Sequence, residues 1–448
     1  MEILGILTFH LLALFNMKFT AWPEMLAWPY LMVNSWLPYK DIAIAHTPNL
    51  LFALAGFFKI FGVGILQLKV FTWFLVLLAD FVLFFVLSRL WKGGKAKAIL
   101  ATFAFVVLQV FYDGNGLWFE IALVPLSIML FYLTTKRKYF ISGVVWALMF
   151  FTKQTAVWFL IPFLLSLYSK DKIKLEALKK FIFGSLIVTS CYLVLFWTLG
   201  IFWDFYKWAI NFGIFILPKS QGQIQLPALR TLAISLFPLT VFIPLILKKD
   251  KLGIKLFIWS LFGAMGAYPR FEYFHVQPAL PFVAIAISHF FYEIYDKQKP
   301  HKIFLGLYIF GIALLISGFF IRNVSEGVRF YESDVSDVVN HVKQNTNPGE
   351  KIFVVNYWDN IYPLTNTLPA VDPLVPQLQW YMEQPNVQEK IVLDLENNRP
   401  RTIVIKKYTE SGLSAYIPKV LFEYIKKNYL HKETVSGIDI FVLPQNFK

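Results

Sequence analysis

The feature that most constrains this chain is a succession of apolar runs, mostly about 14–25 residues long, separated by short loops that carry the charge. About 20 apolar residues cross a bilayer as a helix, and a backbone in lipid must satisfy its own hydrogen bonds. Runs at 3–20, 66–90, 98–112, 119–134, 140–151, 155–168, 181–201, 229–247, 255–268, 277–294 and 303–321 therefore predict about eleven transmembrane helices. The shorter runs are expected to be short or tilted spans. Only 16% of the residues are charged, against about 25% in soluble proteins. The first run begins at the start Met, with no basic leader and no small-residue cleavage site, and predicts an uncleaved span.

The net charge of +14 follows the loops. Segments 89–97, 136–138, 170–180, 248–255 and 297–302 hold 19 of the 42 Lys and Arg, and the alternate loops and span ends hold nine. The remaining 14 lie beyond Ile321 beside 15 acids. A nucleic-acid binder would concentrate the excess on a soluble face; this distribution is topological instead. It predicts a cell (inner) membrane protein with a cytoplasmic N-terminus and an extracytoplasmic C-terminal part. The single cysteine, Cys191, excludes an intrachain disulfide.

The predicted fold is an all-α polytopic membrane protein with a small C-terminal α/β soluble domain. Its domains are 1–321, with a first outer loop at 21–48 and an interfacial helix at 49–62, and 322–448. In the second, helices are expected at 334–345, 387–397 and 415–428, and strands at 351–355, 402–406 and 438–443.

Polar groups collect at the outer ends of the spans. The first outer loop is aromatic and proline-rich yet carries Glu24, Lys40, Asp41 and His46. Asp113, Asn115, Trp118 and Glu120 occupy the turn DGNGLWFE, which a solvated turn with an interfacial Trp also explains. Thr152-Lys153-Gln154-Thr155 joins two short apolar segments, so Lys153 is expected below the surface, placed for a lipid-linked phosphate or snorkelling to headgroups. Residues 202–228 form a longer loop suited to a lid. Arg270, Glu272 and His275 lie in YPRFEYFHVQP, where Arg270 and Glu272 can also pair with each other. Asp80, inside a span, is expected in a helix-packing hydrogen bond.

A carboxylate within reach of an acceptor hydroxyl can take its proton as a bond forms, and cations can neutralise a departing phosphate. Glu24 or Asp41 fits the first role. Lys153, Arg270 and His275 fit the second. Trp22, Trp28, Tyr30, Trp36 and Tyr39 offer flat faces for a sugar or an isoprenoid chain.

The chain resembles the GT-C membrane glycosyltransferases of the protein mannosyltransferase and lipid A aminoarabinose transferase superfamily. The residues that carry the resemblance are Glu24, Pro38-Tyr39-Lys40-Asp41, His46-Thr47-Pro48, Phe61-Gly62, Lys153-Gln154-Thr155, and His275 with Pro278 and Pro281. The resemblance implies inverting transfer of a sugar from a polyprenyl-phosphate donor to a glycan, lipid or protein acceptor on the outer face, with no metal and no cofactor. The family's acid often stands in an Asp-Glu pair; here the matching pair reads Pro23-Glu24, which ranks Glu24 first as base and Asp41 second. With the residue-level reading, the expected substrate-binding set is Lys153, Arg270, His275, His46, Tyr39, Trp22, Asp113 and Glu120. Asn356-Tyr357-Trp358-Asp359-Asn360 echoes a Trp-Trp-Asp motif of the fold's oligosaccharyltransferase branch, and is read as a loop after a strand. A lipid-linked sugar transporter would place polar groups at the midplane and show repeats. A non-catalytic envelope-assembly scaffold would tolerate loss of both Glu24 and Asp41.

Overall fold

The computed structural model describes residues 2–91, 94–169, 172–220, 223–294, 299–375, 379–382, 384–407 and 417–444. Each predicted run is largely helical. Among the described residues, five helices are long and apolar enough to cross a membrane: Ile65–Leu90, Leu175–Thr198, Leu229–Leu247, Tyr273–Glu293 and Lys302–Asn323. The others are shorter, among them Glu2–Phe15, Lys95–Phe111, Phe119–Thr135, Tyr139–Thr152, Gln154–Leu167 and Lys251–Ala264.

The first run ends earlier than its apolar character predicts. After Phe15 the chain extends, and Phe19–Thr20 pairs in parallel with Val328–Arg329. Gly116 lies against Thr20; a Cβ there would sit 2.8 Å from the Thr20 carbonyl oxygen. Three distant segments thus meet where the helices end.

Small residues bring two of the helices into backbone contact, as in membrane helix pairs generally. A Cβ on Gly143 would lie 2.0 Å from Phe181 O, and one on Gly184 would lie 2.1 Å from Phe140 O. Ser185 Oγ also donates to Gly143 O at 3.1 Å. This contact fixes helix Tyr139–Thr152, whose C-terminal end presents Lys153. Asp80 is fully buried and accepts from His10 Nδ1 at 2.6 Å, a hydrogen bond between helices as expected.

Helix Asn49–Phe61 buries Leu50, Leu51, Leu54, Ala55 and Phe58 on one face and exposes Lys59, Ile60 and Phe61. Its buried face packs on helix Pro23–Val33. That one-sided burial is the pattern expected of a helix lying on an interface.

The C-terminal segment contains a five-stranded sheet in the order Leu368–Pro369, Lys351–Val355, Thr402–Lys406, Ile438–Val442, Leu430–Val435. The first three strands are parallel and the last two antiparallel. Helices Ser333–Asn345, Val387–Asn398 and Lys419–Asn428 accompany it. Two predicted strands match to the residue; Leu430–Val435, whose charged alternation hides its period, was not expected. The start of the predicted helix at 415–428 lies outside the described residues. The sheet's core is continuous with segment 21–48, including Met25, Leu26, Leu31, Ile42 and Ile44.

Candidate active site

Lys153 occupies an extended residue (φ −157°, ψ 137°) between helix Tyr139–Thr152 and the tight turns of Gln154–Phe159. The break drops its side chain inward, to 5% exposure. There Lys153 Nζ and His275 Nδ1 both donate to Glu120 Oε1. Glu120, in the first turn of helix Phe119–Thr135, is 1% exposed, and its second oxygen has no hydrogen-bond partner. The desolvation predicted for Lys153 is present.

His46 lies against this group, its ring centroid 4.5 Å from Phe119 and 5.9 Å from Trp118. Burial, and next the charge of Lys153, lower its pKa to about 3, so His46 is an uncharged imidazole at neutral pH. Gln154 hydrogen-bonds it. The Gln154 amide also donates to Ala45 O at 2.9 Å and Ala209 O at 2.8 Å, pinning the first outer loop to helix 202–216. That segment, expected as a lid, is helical and packed: Trp208 and Phe212 lie 5.5 and 5.1 Å from Tyr381.

Above the polar group stands an aromatic shelf. The Trp22 ring lies 5.3 Å from Trp118, 5.1 Å from Phe274 and 5.1 Å from Phe330. The indole nitrogen of Trp118 is buried without a partner. Glu24 follows Trp22 in the first turn of helix Pro23–Val33, and its Oε2 is also buried and unpartnered. Burial raises the Glu24 carboxyl above its usual range, while its own backbone N–H and then the Arg270 charge act in the opposite direction. Arg270 also meets Glu272 at 3.7 Å, so the pair expected from sequence exists beside its interaction with Glu24.

The remaining candidates stand elsewhere. Asp41 Oδ2 accepts from the Leu37 N–H at 2.7 Å, closing its own turn. Its acidic neighbour is Asp372, whose carboxyl burial raises first and Asp41 second. Tyr39 is fully buried at φ +70°; its hydroxyl donates to His46 O at 2.9 Å and its ring meets Phe205. It braces the loop and offers no free face. Asp113 pairs with Arg329 at 3.6 Å, and burial raises its carboxyl while Arg329 opposes the rise. Glu24, Lys153, Glu120, His275, His46, Trp22 and Arg270 are thus brought to one region; Asp41, Tyr39 and Asp113 are used in holding segments together.

Two participants escaped sequence reasoning. Trp118 is legible in the turn DGNGLWFE, with an interfacial aromatic as the alternative, but falls outside the expected substrate-binding set. Asp359 lies in the loop after strand Lys351–Val355, as expected, yet it is 8% exposed and close enough to Glu24 for the Glu24 charge to raise its carboxyl further after burial, to about 8. Among the described residues, no group of three or more His, Cys, Asp and Glu is placed to hold a metal ion.

No family model matches the chain, and no curated protein matches it in sequence. Its fold matches solved structures. ArnT from Cupriavidus metallidurans bound to undecaprenyl phosphate superposes with a TM-score of 0.65 at 11% identity, covering 99% of this chain and 98% of that one. Apo ArnT gives 0.64 at 10% identity, over 98% and 97%. The mycobacterial arabinofuranosyltransferase AftD gives 0.51 at 13% identity, over all of this chain (100%) and 40% of its own. An end-to-end match on both lengths in ArnT, with helices and C-terminal sheet together, gives this chain the GT-C fold of the membrane glycosyltransferases.

Proposed function

We propose that the chain is an integral-membrane glycosyltransferase that moves a sugar from a polyprenyl-phosphate donor to an acceptor on the extracytoplasmic face of the cell membrane. The observation that carries this reading is the buried Lys153–Glu120–His275 group beneath the Trp22 shelf, in a chain with the fold of ArnT, a protein solved with undecaprenyl phosphate bound. An ammonium has three donors. Glu120 takes one of those on Lys153, leaving the others for a phosphate oxygen. Arg270 adds donors on the same side, and the His275 and His46 imidazoles line the site beside them. The Trp22 and Trp118 faces suit a sugar ring, with the unpartnered Trp118 N–H available to a hydroxyl.

Glu24 is the general base. Its placement beside Arg270, with an oxygen free of protein hydrogen bonds, supports that role better than the turn-closing geometry of Asp41 supports the alternative. Attack from the side opposite the phosphate inverts the anomeric centre. The leaving phosphate is a weak base and needs charge neutralisation more than a proton, so transfer is expected without a metal or cofactor. The eleven-helix count, a cytoplasmic N-terminus and an extracytoplasmic C-terminal segment complete the proposed topology.

Undecaprenyl phosphate itself tests the donor half. Detergent-purified protein is expected to bind it saturably, and Lys153→Met to weaken binding by at least tenfold. No binding by the parent, or equal binding by the variant, would overturn the phosphate site.

A further inference from the structure

The reading above leaves a buried acid, Asp359, unused, and it comes from the other end of the chain. Helix Ile361–Thr365 packs on helix Pro23–Val33. Tyr30 Oη donates to Asn366 Oδ1 at 3.2 Å and to Thr367 O at 3.1 Å. Just before that helix, Asn360 Nδ2 donates to Phe330 O at 2.7 Å, and the Trp358 ring meets Phe330 at 4.8 Å. Phe330 in turn packs on Trp22, two residues before Glu24. The turn that carries Asp359 is therefore stitched to the turn that carries Glu24 on both sides. Tyr381, whose hydroxyl donates to Ala43 O at 2.8 Å, lies within the field of both carboxyls.

We propose that Glu24 and Asp359 form an unequal carboxyl pair at the acceptor site, Glu24 being the ionised member that takes the acceptor's proton and Asp359 the protonated member that offers its O–H to the acceptor oxygen. The inference rests on the transferase reading and adds a residue from the C-terminal segment to it. Two buried carboxyls that act on each other through the protein interior do not both ionise readily. The surroundings decide which keeps the proton. Arg270 faces Glu24 and favours its charge. Among the described residues, the ionisable groups that act on Asp359 or feel its charge are Glu24, Tyr362 and Tyr381, none of them a cation. Burial first, and the Glu24 charge second, hold its proton up to about pH 8.

The step balances without a further reactant. The acceptor O–H breaks and its proton passes to Glu24. The acceptor oxygen bonds the anomeric carbon as the bond to phosphate oxygen breaks, and phosphate leaves with that electron pair. Asp359 has the same proton before and after.

The sign of the pH dependence follows. Below about 8 Asp359 is neutral and donates; above it, a second negative charge stands beside Glu24 and the donor is gone. Transfer should therefore fall about tenfold per unit as pH rises past 8. The test is the pH–rate profile of label transfer from undecaprenyl-phosphate-linked arabinose, mannose or glucose into a membrane extract, for the parent, Asp359→Asn and Asp359→Ala. An amide donates but does not ionise, so Asp359→Asn is expected to keep at least a tenth of the rate and lose the alkaline limb. Asp359→Ala should lose at least a hundredfold below pH 8 and show no alkaline limb, with undecaprenyl phosphate binding unchanged in both. An alkaline limb that persists in Asp359→Asn, or a parent without one, would overturn the inference and leave the transferase reading standing. A parent that binds no undecaprenyl phosphate and transfers no label removes both.

Discussion

Two buried carboxylates stand where the helix bundle meets the C-terminal segment, and their surroundings are opposites. Glu120 is held by Lys153 and His275, both donating to one oxygen, all three groups presented by helix ends of the bundle. Glu24 is held by no side-chain hydrogen bond at Oε2, faces Asp359, and is presented by the first outer loop against the C-terminal segment. A carboxylate that accepts from an ammonium and an imidazole N–H resists taking a proton; one crowded by burial and a second carboxyl does not. The paired centre suits electrostatic holding of an anion, and the crowded one suits proton exchange. On the proposed reading the bundle supplies the charge, and the joint between loop and sheet supplies the chemistry.

The largest effect that sharpens this contrast is at Glu24. Glu24→Gln should lower the transfer rate by about 10²–10⁴ while undecaprenyl phosphate affinity stays within twofold. Glu120→Gln should instead change donor affinity. The reverse pattern in those two measurements would exchange the roles of the centres. Next in size is Lys153→Met, which strands Glu120 in a buried site and should cost about 3–5 kcal/mol of stability, read by denaturant or thermal unfolding in detergent. The double variant Lys153→Met/Glu120→Gln should recover most of the stability and none of the donor binding. If it recovers both, the ion pair is purely structural.

Smaller effects mark the boundary of the site. His46 is neutral above about pH 3, so His46→Asn should leave any acid limb between pH 5 and 8 unchanged and alter rates only a few-fold; a limb that vanishes would show that His46 titrates. Asp41→Asn weakens one turn-closing hydrogen bond to Leu37, worth about 1 kcal/mol, and transfer should stay within about twofold. A loss matching that of Glu24→Gln would move the base to Asp41.

What the residue order made legible was local. Apolar periodicity located the helices, and β-rich runs located strands Lys351–Val355 and Thr402–Lys406. The shortness of the segments around Lys153 predicted its burial. What stayed hidden depends on contacts across the chain. Nothing near residue 20 announces that Phe19–Thr20 pairs with Val328–Arg329 and ends the first helix early. Glu24 and Asp41 look equally available in one loop, because only the backbone path shows that Asp41 folds back onto Leu37. Tyr39 reads as a sugar platform until its positive φ turns the ring into the core. Asp359 lies almost the whole chain away from Glu24, and no spacing rule connects a loop after a strand to the first turn of a distant helix.

The central claim is that this chain transfers a sugar with Glu24 as base. The most direct measurement offers radiolabelled undecaprenyl-phosphate mannose, glucose or arabinose, with a membrane extract as acceptor and a chelator present, to the parent and to Glu24→Gln. The account predicts label in a new product with the parent alone. Equal labelling by Glu24→Gln, or no labelling by a parent that binds the donors, would contradict it.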